Sequence, residues 1–183
     1  MSFIKGFYTK DEIERFDEIY LRYYRLSLKV AYSVVHDVEL AQDICQEVFI
    51  TMFFKLDEID EEFAKAWILS YSRRIAVDFC RKSYHKHEVI SGLDANENGS
   101  GIWTGDPEDL VVRKELCRKK LRVFYSLKQR NEVWYELIRR VSVNEENPVS
   151  VASDYGISVA YLRTQISRAR HWMAEELRRQ GND

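Results

Sequence analysis

Apolar residues recur every three or four positions along most of this chain, and this spacing constrains the fold more than any other feature. Three amphipathic stretches fill the first half, at roughly 14–36, 37–56 and 63–84, and two more occupy 110–127 and 132–141. Only seven glycines and two prolines occur among 183 residues. Because so few turn-forming residues disfavour a β architecture, the sequence predicts an all-α fold.

The helical pattern stops between residues 88 and 109. This segment contains several glycines and asparagines, six acidic residues and no lysine or arginine. Such a composition is typical of a flexible linker, and a connection of this length inside one compact core is unusual. The sequence therefore predicts two small helical domains, at 1–87 and 110–183, joined by a flexible acidic linker at 88–109.

The stretch from Val149 to Arg179 has the pattern of a helix-turn-helix. Gly156 lies where the chain must leave a first, short helix through a left-handed turn, and Ser158 can cap the second helix. The second helix has an apolar stripe formed by Leu162, Ile166, Ala169 and Met173. Its other face carries side chains able to bond base edges and phosphates: Tyr161, Arg163, Thr164, Gln165, Ser167 and Arg168. Plain packing of a helical hairpin is the alternative interpretation of this stretch.

Charge is segregated along the chain, as a nucleic-acid binder of formal net charge −2 requires. Residues 37–62 contain nine acidic residues and one basic residue, whereas 65–86 contain six basic residues and one acidic residue. The basic helix has one face composed of Trp67, Ser70, Arg74, Asp78 and Arg81, where Asp78 can pair with Arg74 or Arg81. We expect the basic face to contact DNA and the acidic helix to face a protein partner with a basic surface. The alternative interpretation is that the basic face is simply the solvent-exposed side of a core helix and contacts no DNA.

The three cysteines are far apart, and no Cys-x-x-Cys pair occurs. The apolar runs are too short to span a bilayer, and no secretory signal is recognisable. We therefore expect a cytoplasmic protein with reduced thiols.

Three segments resemble motifs of one family. The string AQDICQEVF at 41–49 resembles the AEDIxQEVF signature of bacterial RNA polymerase sigma factors of the extracytoplasmic-function (ECF) class. The string AWILSYSRRIAVDFCRK at 66–82 is similar to that class's next signature, and 158–170 resembles the recognition helix of its C-terminal domain. The order, the spacing and the linker also match, so the resemblance covers about residues 14–178.

The resemblance implies a sigma factor with no enzymatic activity, no cofactor, no metal and no small-molecule substrate. The second helix would dock on the clamp helices of the polymerase β′ subunit through Asp43, Gln46, Glu47 and Phe49. The third helix would open and read the promoter −10 element through Trp67, Arg73, Arg74, Asp78, Arg81 and Lys82. The C-terminal domain would approach the β flap and read the −35 element through Ser158, Ala160, Tyr161, Arg163, Thr164, Gln165, Ser167, Arg168 and Arg170. The family also implies a third partner, an anti-sigma factor that can be membrane-bound.

Some residues depart from the family pattern. Arg74 replaces a common asparagine, and Tyr161 replaces a small or β-branched residue, so base preferences can differ. Two other functions stay open at this point. A stand-alone helix-turn-helix regulator would bind duplex DNA without polymerase, and a helical metal protein would use Asp43, Glu47, His85 and His87.

Overall fold

The computed structural model describes residues 9–86 and 107–180, and every regular element in those two ranges is a helix. The expected all-α class is therefore confirmed. The described helices are α1 (Lys10–Val35), α2 (Val38–Phe54), α3 (Glu61–Lys86), α4 (Pro107–Arg130), α5 (Glu132–Ile138), α6 (Pro148–Asp154) and α7 (Val159–Arg179). None of these described helices combines the length and apolar character needed to cross a membrane.

The chain divides into two compact units, and the division falls between Lys114 and Glu115, inside α4. We call the described residues before this point the N-terminal unit and those after it the C-terminal unit. Most of the expected linker, 88–106, lies outside the described residues, and its last three positions belong to α4. A proline at the first helical position and acidic residues in the first turn explain this earlier start. The domain boundaries at 87 and 110 stay a prediction.

Side-chain caps fix where α1 and α2 begin. Thr9 and Glu12 form a reciprocal capping box, so α1 starts before the stretch that its periodicity predicts. The α1 helix ends at His36, whose backbone is left-handed at φ 55°. Asp37 then caps α2 by accepting a hydrogen bond from the backbone N–H of Leu40 at 2.9 Å.

An aromatic cluster between α1 and α2 forms the core of the N-terminal unit. The rings of Phe16, Tyr20 and Tyr24 on α1 pack against Phe49 on α2, with centroid distances of 6.5, 4.6 and 6.0 Å. All four side chains are buried. Beside this cluster, the buried Ser27 hydroxyl bonds Ser72 Oγ of α3 at 2.8 Å, which joins the first and third helices.

The first two turns of α4 pack on α1 within the N-terminal unit. Leu110 is buried there, and Lys114 Nζ lies 3.2 Å from the Asp17 carboxylate. Arg113 pairs with Asp109 one turn earlier at 2.9 Å. Residues 107–114 thus belong with the N-terminal unit.

The C-terminal unit is built from the rest of α4 and from α5 to α7. Asn131 caps α5, and a π-helical turn at Arg139–Val143 follows it. Arg140 of this turn bonds both the Glu146 carboxylate, at 2.5 Å, and the Asp154 carboxylate, at 2.6 Å. These ion pairs tie the loop between α5 and α6 to the end of α6.

The turn between α6 and α7 has the geometry that the sequence predicts. Gly156 adopts φ +62°, and the N–H of Ile157 donates to the carbonyl of Ala152 at 3.0 Å, as in a Schellman motif. Ala152 is buried where α7 packs, and Ser158 Oγ accepts from the N–H of Tyr161 at 3.2 Å. The helix-turn-helix is therefore confirmed as a structural element.

Replacing Gly156 by alanine is expected to lower the free energy of unfolding by about 1 kcal/mol. A Cβ at this position would meet no atom within 4 Å, so the cost comes from the left-handed backbone alone. Urea denaturation of the variant measures it. Gly156→Asn is the matched control, because asparagine tolerates this conformation better than alanine. A loss for Gly156→Asn as large as for Gly156→Ala would contradict the backbone explanation.

Candidate nucleic-acid and protein interfaces

A stack of three planar groups lies along α3. The rings of Trp67 and Tyr71 are 4.6 Å apart and nearly parallel at 10°, and the Arg74 guanidinium carbon lies 4.4 Å from the Tyr71 ring centroid. Two planar groups cannot share one ring face at these distances, so Tyr71 lies between Trp67 and Arg74. Trp67 is half-buried and Arg74 is exposed. The stack holds the guanidinium in place on the surface of the helix.

The other expected DNA contacts of α3 are on its surface. Arg73, Arg81 and Lys82 are exposed. Asp78 lies 3.1 Å from the Arg81 guanidinium, so of the two pairings predicted for Asp78 the one with Arg81 forms. The structure thus brings the basic side chains of α3 to solvent, as nucleic-acid binding requires.

The C-terminal half of α3 is more exposed than its periodicity indicates. The apolar spacing of α3 predicts that Phe79 faces the core, but its side chain is 43% exposed, so this prediction from spacing is wrong. Of the side chains described between Val77 and Lys82, none is buried, although Cys80 Sγ still lies 3.8 Å from the Val34 carbonyl of α1. The described side chains from Val77 to Lys82 are therefore all at least partly accessible.

Acidic side chains form one exposed face of α2. Glu39, Asp43 and Glu47 recur every four residues and are exposed, so they lie one above another along the helix. We call these three residues the α2 acidic face. It is the part of α2 that a basic protein surface can contact.

Two of the four residues expected to dock on a partner are not on that face. Gln46 is 4% exposed and Phe49 is fully buried. Phe49 packs on the α1 aromatic cluster. Their assignment as partner contacts is corrected to a core role, since a buried side chain cannot touch a docked protein.

The outward face of α7 carries most of the residues expected to read DNA. Tyr161, 53% exposed, projects from the first turn. The Thr164 hydroxyl donates to the Ala160 carbonyl at 3.0 Å, and Arg170 donates to Ser142 Oγ at 3.0 Å. The exposed members of the expected set are Ser158, Ala160, Tyr161, Arg163, Thr164, Ser167, Arg168 and Arg170.

Gln165 does not belong to that face. It is 8% exposed, and its side-chain oxygen accepts a hydrogen bond from Trp134 Nε1 at 2.7 Å. The side chain joins α7 to α5 and supports the helix that carries the outward face. Its assignment as a base contact is corrected for this reason.

Sequence reasoning missed two residues with a role at these surfaces: the buried Tyr71 supports one, and the exposed Glu39 belongs to the other. Tyr71 forms the middle of the α3 stack, and its spacing of four from Trp67 and three from Arg74 was the available signal. Glu39 extends the α2 acidic face by one turn, and its spacing of four from Asp43 indicated this.

The cysteines and the candidate metal ligands form no centre in the part of the chain that the structure describes. No group of three His, Cys, Asp or Glu side chains converges there, while His87 lies outside the described residues. Burial raises the pKa of the Cys45 thiol to about 12, and burial likewise raises that of Cys117 to about 12. These two thiols are therefore protonated and unreactive at neutral pH, whereas Cys80 is exposed.

Comparison with known proteins gives concordant matches. Residues 19–85 match the family model of sigma-70 region 2. Over 78 residues the chain is 33% identical to the ECF RNA polymerase sigma factor SigM of Bacillus subtilis. The aligned stretch covers 43% of this chain and 47% of SigM. The chain is 24% identical over 157 residues to the ECF RNA polymerase sigma factor SigW of Bacillus subtilis, covering 82% of each chain.

A third relative is the probable RNA polymerase sigma factor RfaY of Xanthomonas campestris pv. campestris. It is 25% identical over 151 residues, which is 81% of this chain and 36% of RfaY. The chain thus spans less than half the length of SigM and of RfaY, and most of the length of SigW.

Proposed function

Because the chain belongs to the ECF class of RNA polymerase sigma factors, we propose that it binds core polymerase and directs it to promoters with specific −10 and −35 elements. The chain itself contributes no catalytic step, since polymerase performs the chemistry. The observation that carries the proposal is the presence of a complete helix-turn-helix in the same chain as a sigma-70 region 2. A stand-alone regulator would account for the helix-turn-helix and leave region 2 without a role.

The α2 acidic face is the proposed contact with the β′ clamp helices. Its three exposed carboxylates match a basic protein surface, and DNA phosphates would repel them. Asp43 and Glu47 keep the role that the family resemblance implies for them. Gln46 and Phe49 support the contact only indirectly, by packing α2 onto α1.

The α3 helix is the proposed −10 reader. Trp67, which is half-buried, and the exposed Arg74 guanidinium, which Tyr71 supports from below, can stack on an unpaired base, and Arg73, Arg81 and Lys82 offer charge to the backbone of the opened strand. Taking a base out of the duplex costs a few kcal/mol, which contacts to the single strand and to polymerase must offset. Arg74 replaces the asparagine that is common in the family, so this chain would prefer a different base near that position.

The α7 helix is the proposed −35 reader, inserted into the major groove by its first turns. Tyr161 and Arg163 are exposed there, so they are the proposed base-reading residues. Ser158, Ser167 and Arg168 are the proposed phosphate contacts on either side. In the same proposal the unit approaches the β flap, and the acidic segment 88–109 follows the polymerase path that RNA takes. An anti-sigma factor, membrane-bound in some systems, would hold the chain inactive.

Transcription by core polymerase on fragmented genomic DNA, with start sites mapped, tests the proposal. Core polymerase supplied with this chain is expected to begin at a new set of positions that share two short sequence elements. Core polymerase alone is the control. Unchanged start sites, together with tight duplex binding by the free chain, would favour the stand-alone regulator.

Replacing Arg168 by alanine is expected to weaken DNA binding evenly across sequences and to reduce the salt slope of binding by about 1. Arg168 is exposed on the proposed DNA face of α7, and a phosphate contact carries no base preference. Fluorescence anisotropy with a labelled duplex over a range of salt concentrations measures the slope. Arg178→Ala removes the same charge at the far end of α7 and serves as the control. An unchanged slope for Arg168→Ala would contradict the phosphate contact.

A further inference from the structure

The two units of this chain have opposite charge. Residues 115–183 contain thirteen Lys and Arg against nine Asp and Glu, a formal net charge of +4. Residues 8–114 contain fourteen Lys and Arg against twenty-one Asp and Glu, a net charge of −7. The helix-turn-helix does not hold all of the positive charge of its unit, because α7 supplies five of the thirteen basic residues.

A second concentration of positive charge lies on α4. Between residues 118 and 130 this helix has six Lys and Arg and no Asp or Glu. Cys117, Leu121, Val123, Phe124 and Leu127 are buried on the packed side of the helix. Helical geometry places Arg118 and Arg122 opposite this side, with Lys119 and Arg130 at its border beside Val123, and two uncharged polar residues, Ser126 and Gln129, between the basic ones. We call these four residues the α4 basic face: Arg118, Lys119, Arg122 and Arg130.

Contacts within the C-terminal unit hold this face in position. Arg118 bonds the Glu115 carboxylate at 2.8 Å, and Lys119 donates to the backbone carbonyl of Gln180. The Arg130 guanidinium lies 5.9 Å from the Trp172 ring. Arg122 is exposed at the centre of the face and has no ion-pair partner within the described ranges. Partial ordering of the side chains lowers the entropy cost of binding an anion.

We propose that the α4 basic face binds the phosphate backbone of duplex DNA, at a position separate from the bases that α7 reads. The inference rests on the proposed function, because that function places a duplex against this unit. Three of the four residues are arginine, whose planar guanidinium bonds phosphate in a bidentate manner. A contact of this kind would add affinity without adding sequence preference.

The composition of the face favours DNA over a protein partner. No large apolar side chain is exposed between Arg118 and Arg130, in a stretch that the structure describes completely. Protein interfaces have a core of aromatic and apolar residues inside a polar rim, and this face has no such core. A row of cations with polar side chains between them instead matches a phosphate backbone, whose binding is electrostatic.

The double variant Arg118→Gln/Arg122→Gln, made in the full chain, tests the inference. A labelled 40-base-pair duplex of arbitrary sequence is the probe, and anisotropy measures its affinity over a range of KCl concentrations. We expect the slope of log affinity against log salt to become shallower by about 1.8, since each phosphate contact contributes about 0.9. Arg122→Gln alone is expected to remove about half of that amount. Lys10→Gln/Lys29→Gln removes two exposed charges from α1 and is the matched control.

The outcomes separate this inference from the proposed function. A slope equal to that of the wild type and of the α1 control would overturn the inference. A double variant that lost affinity for core polymerase but kept the wild-type DNA slope would also overturn the inference, because the α4 basic face would then bind an acidic protein surface. If the slope changes as expected while the wild-type chain leaves polymerase start sites unaltered, the α4 contact stands and the proposed function fails. Thermal unfolding of each variant confirms that the helices remain folded.

Discussion

Replacing Phe49 by alanine is expected to lower the free energy of unfolding of the N-terminal unit by about 3–5 kcal/mol. The Phe49 ring is fully buried and contacts three aromatic rings of α1, at centroid distances between 4.6 and 6.5 Å. Truncation removes the buried surface and leaves a cavity, because neighbouring rings on two rigid helices relax only partly. Hydrogen exchange of the α1, α2 and α3 peptides measures this loss in the unit itself.

The same variant decides between two roles for this side chain. Phe49 lies in a motif that resembles the polymerase-docking signature, and the structure places it in the core. Glu47→Gln is the control, since Glu47 is exposed on the same helix and its stability effect is expected to stay within about 0.5 kcal/mol. If Phe49→Ala kept full exchange protection and lost polymerase binding, Phe49 would be a contact residue and the core assignment would be wrong.

Local signals were enough to predict the helix-turn-helix. Gly156, Ser158 and Ala152 each meet a requirement set by a few neighbouring residues, namely a left-handed turn, a cap and a close helix approach. For the same reason Asp37 was predicted as the start of α2, and the structure has it as the cap. Signals of this kind depend on the backbone geometry of one or two helical turns, and the residues within those turns determine that geometry.

The errors came from contacts between residues far apart in the chain. Gln165 was assigned outward because it is polar, although it lies three residues after Leu162 and four before Ala169; Trp134, 31 residues earlier, donates a hydrogen bond to its side-chain oxygen. Phe79 has the spacing of a core residue, but it lies level with the last turn of α1, where Cys80 Sγ is 3.8 Å from the Val34 carbonyl, and its side chain is 43% exposed. Periodicity identifies the two sides of a helix, and it cannot indicate how far along the helix a partner extends.

Motif resemblance had a similar limit at α2. It joined four residues, Asp43, Gln46, Glu47 and Phe49, into one docking group, but Asp43 and Glu47 are exposed, whereas Gln46 and Phe49 are buried. A signature combines positions that contact a partner with positions that pack the fold. Burial separates the two kinds, and only the structure supplies it.

The two exposed residues of that docking group, Asp43 and Glu47, are the basis of a second prediction with a large effect. Reversing two charges of the α2 acidic face, Asp43→Lys with Glu47→Lys, is expected to weaken binding to core polymerase about 100-fold, close to 2.7 kcal/mol. The variant places two cations against a basic partner surface, and like charges across an interface cost several kcal/mol. Both side chains are exposed, so folding should be unaffected. Biolayer interferometry with immobilised core polymerase measures the affinity.

A matched control separates a local contact from long-range attraction. Glu14→Lys/Glu18→Lys makes the same change of four charges at the same spacing on α1, where both side chains are also exposed. If the charges act only through long-range attraction, both double variants would bind equally less tightly. This difference from the wild type would disappear at high salt, since the Debye length falls to about 3 Å at 1 M. A direct contact would act through the α2 pair alone and would mainly raise the dissociation rate. Equal losses in both pairs, or no loss in either, would place the polymerase contact on another surface of the N-terminal unit.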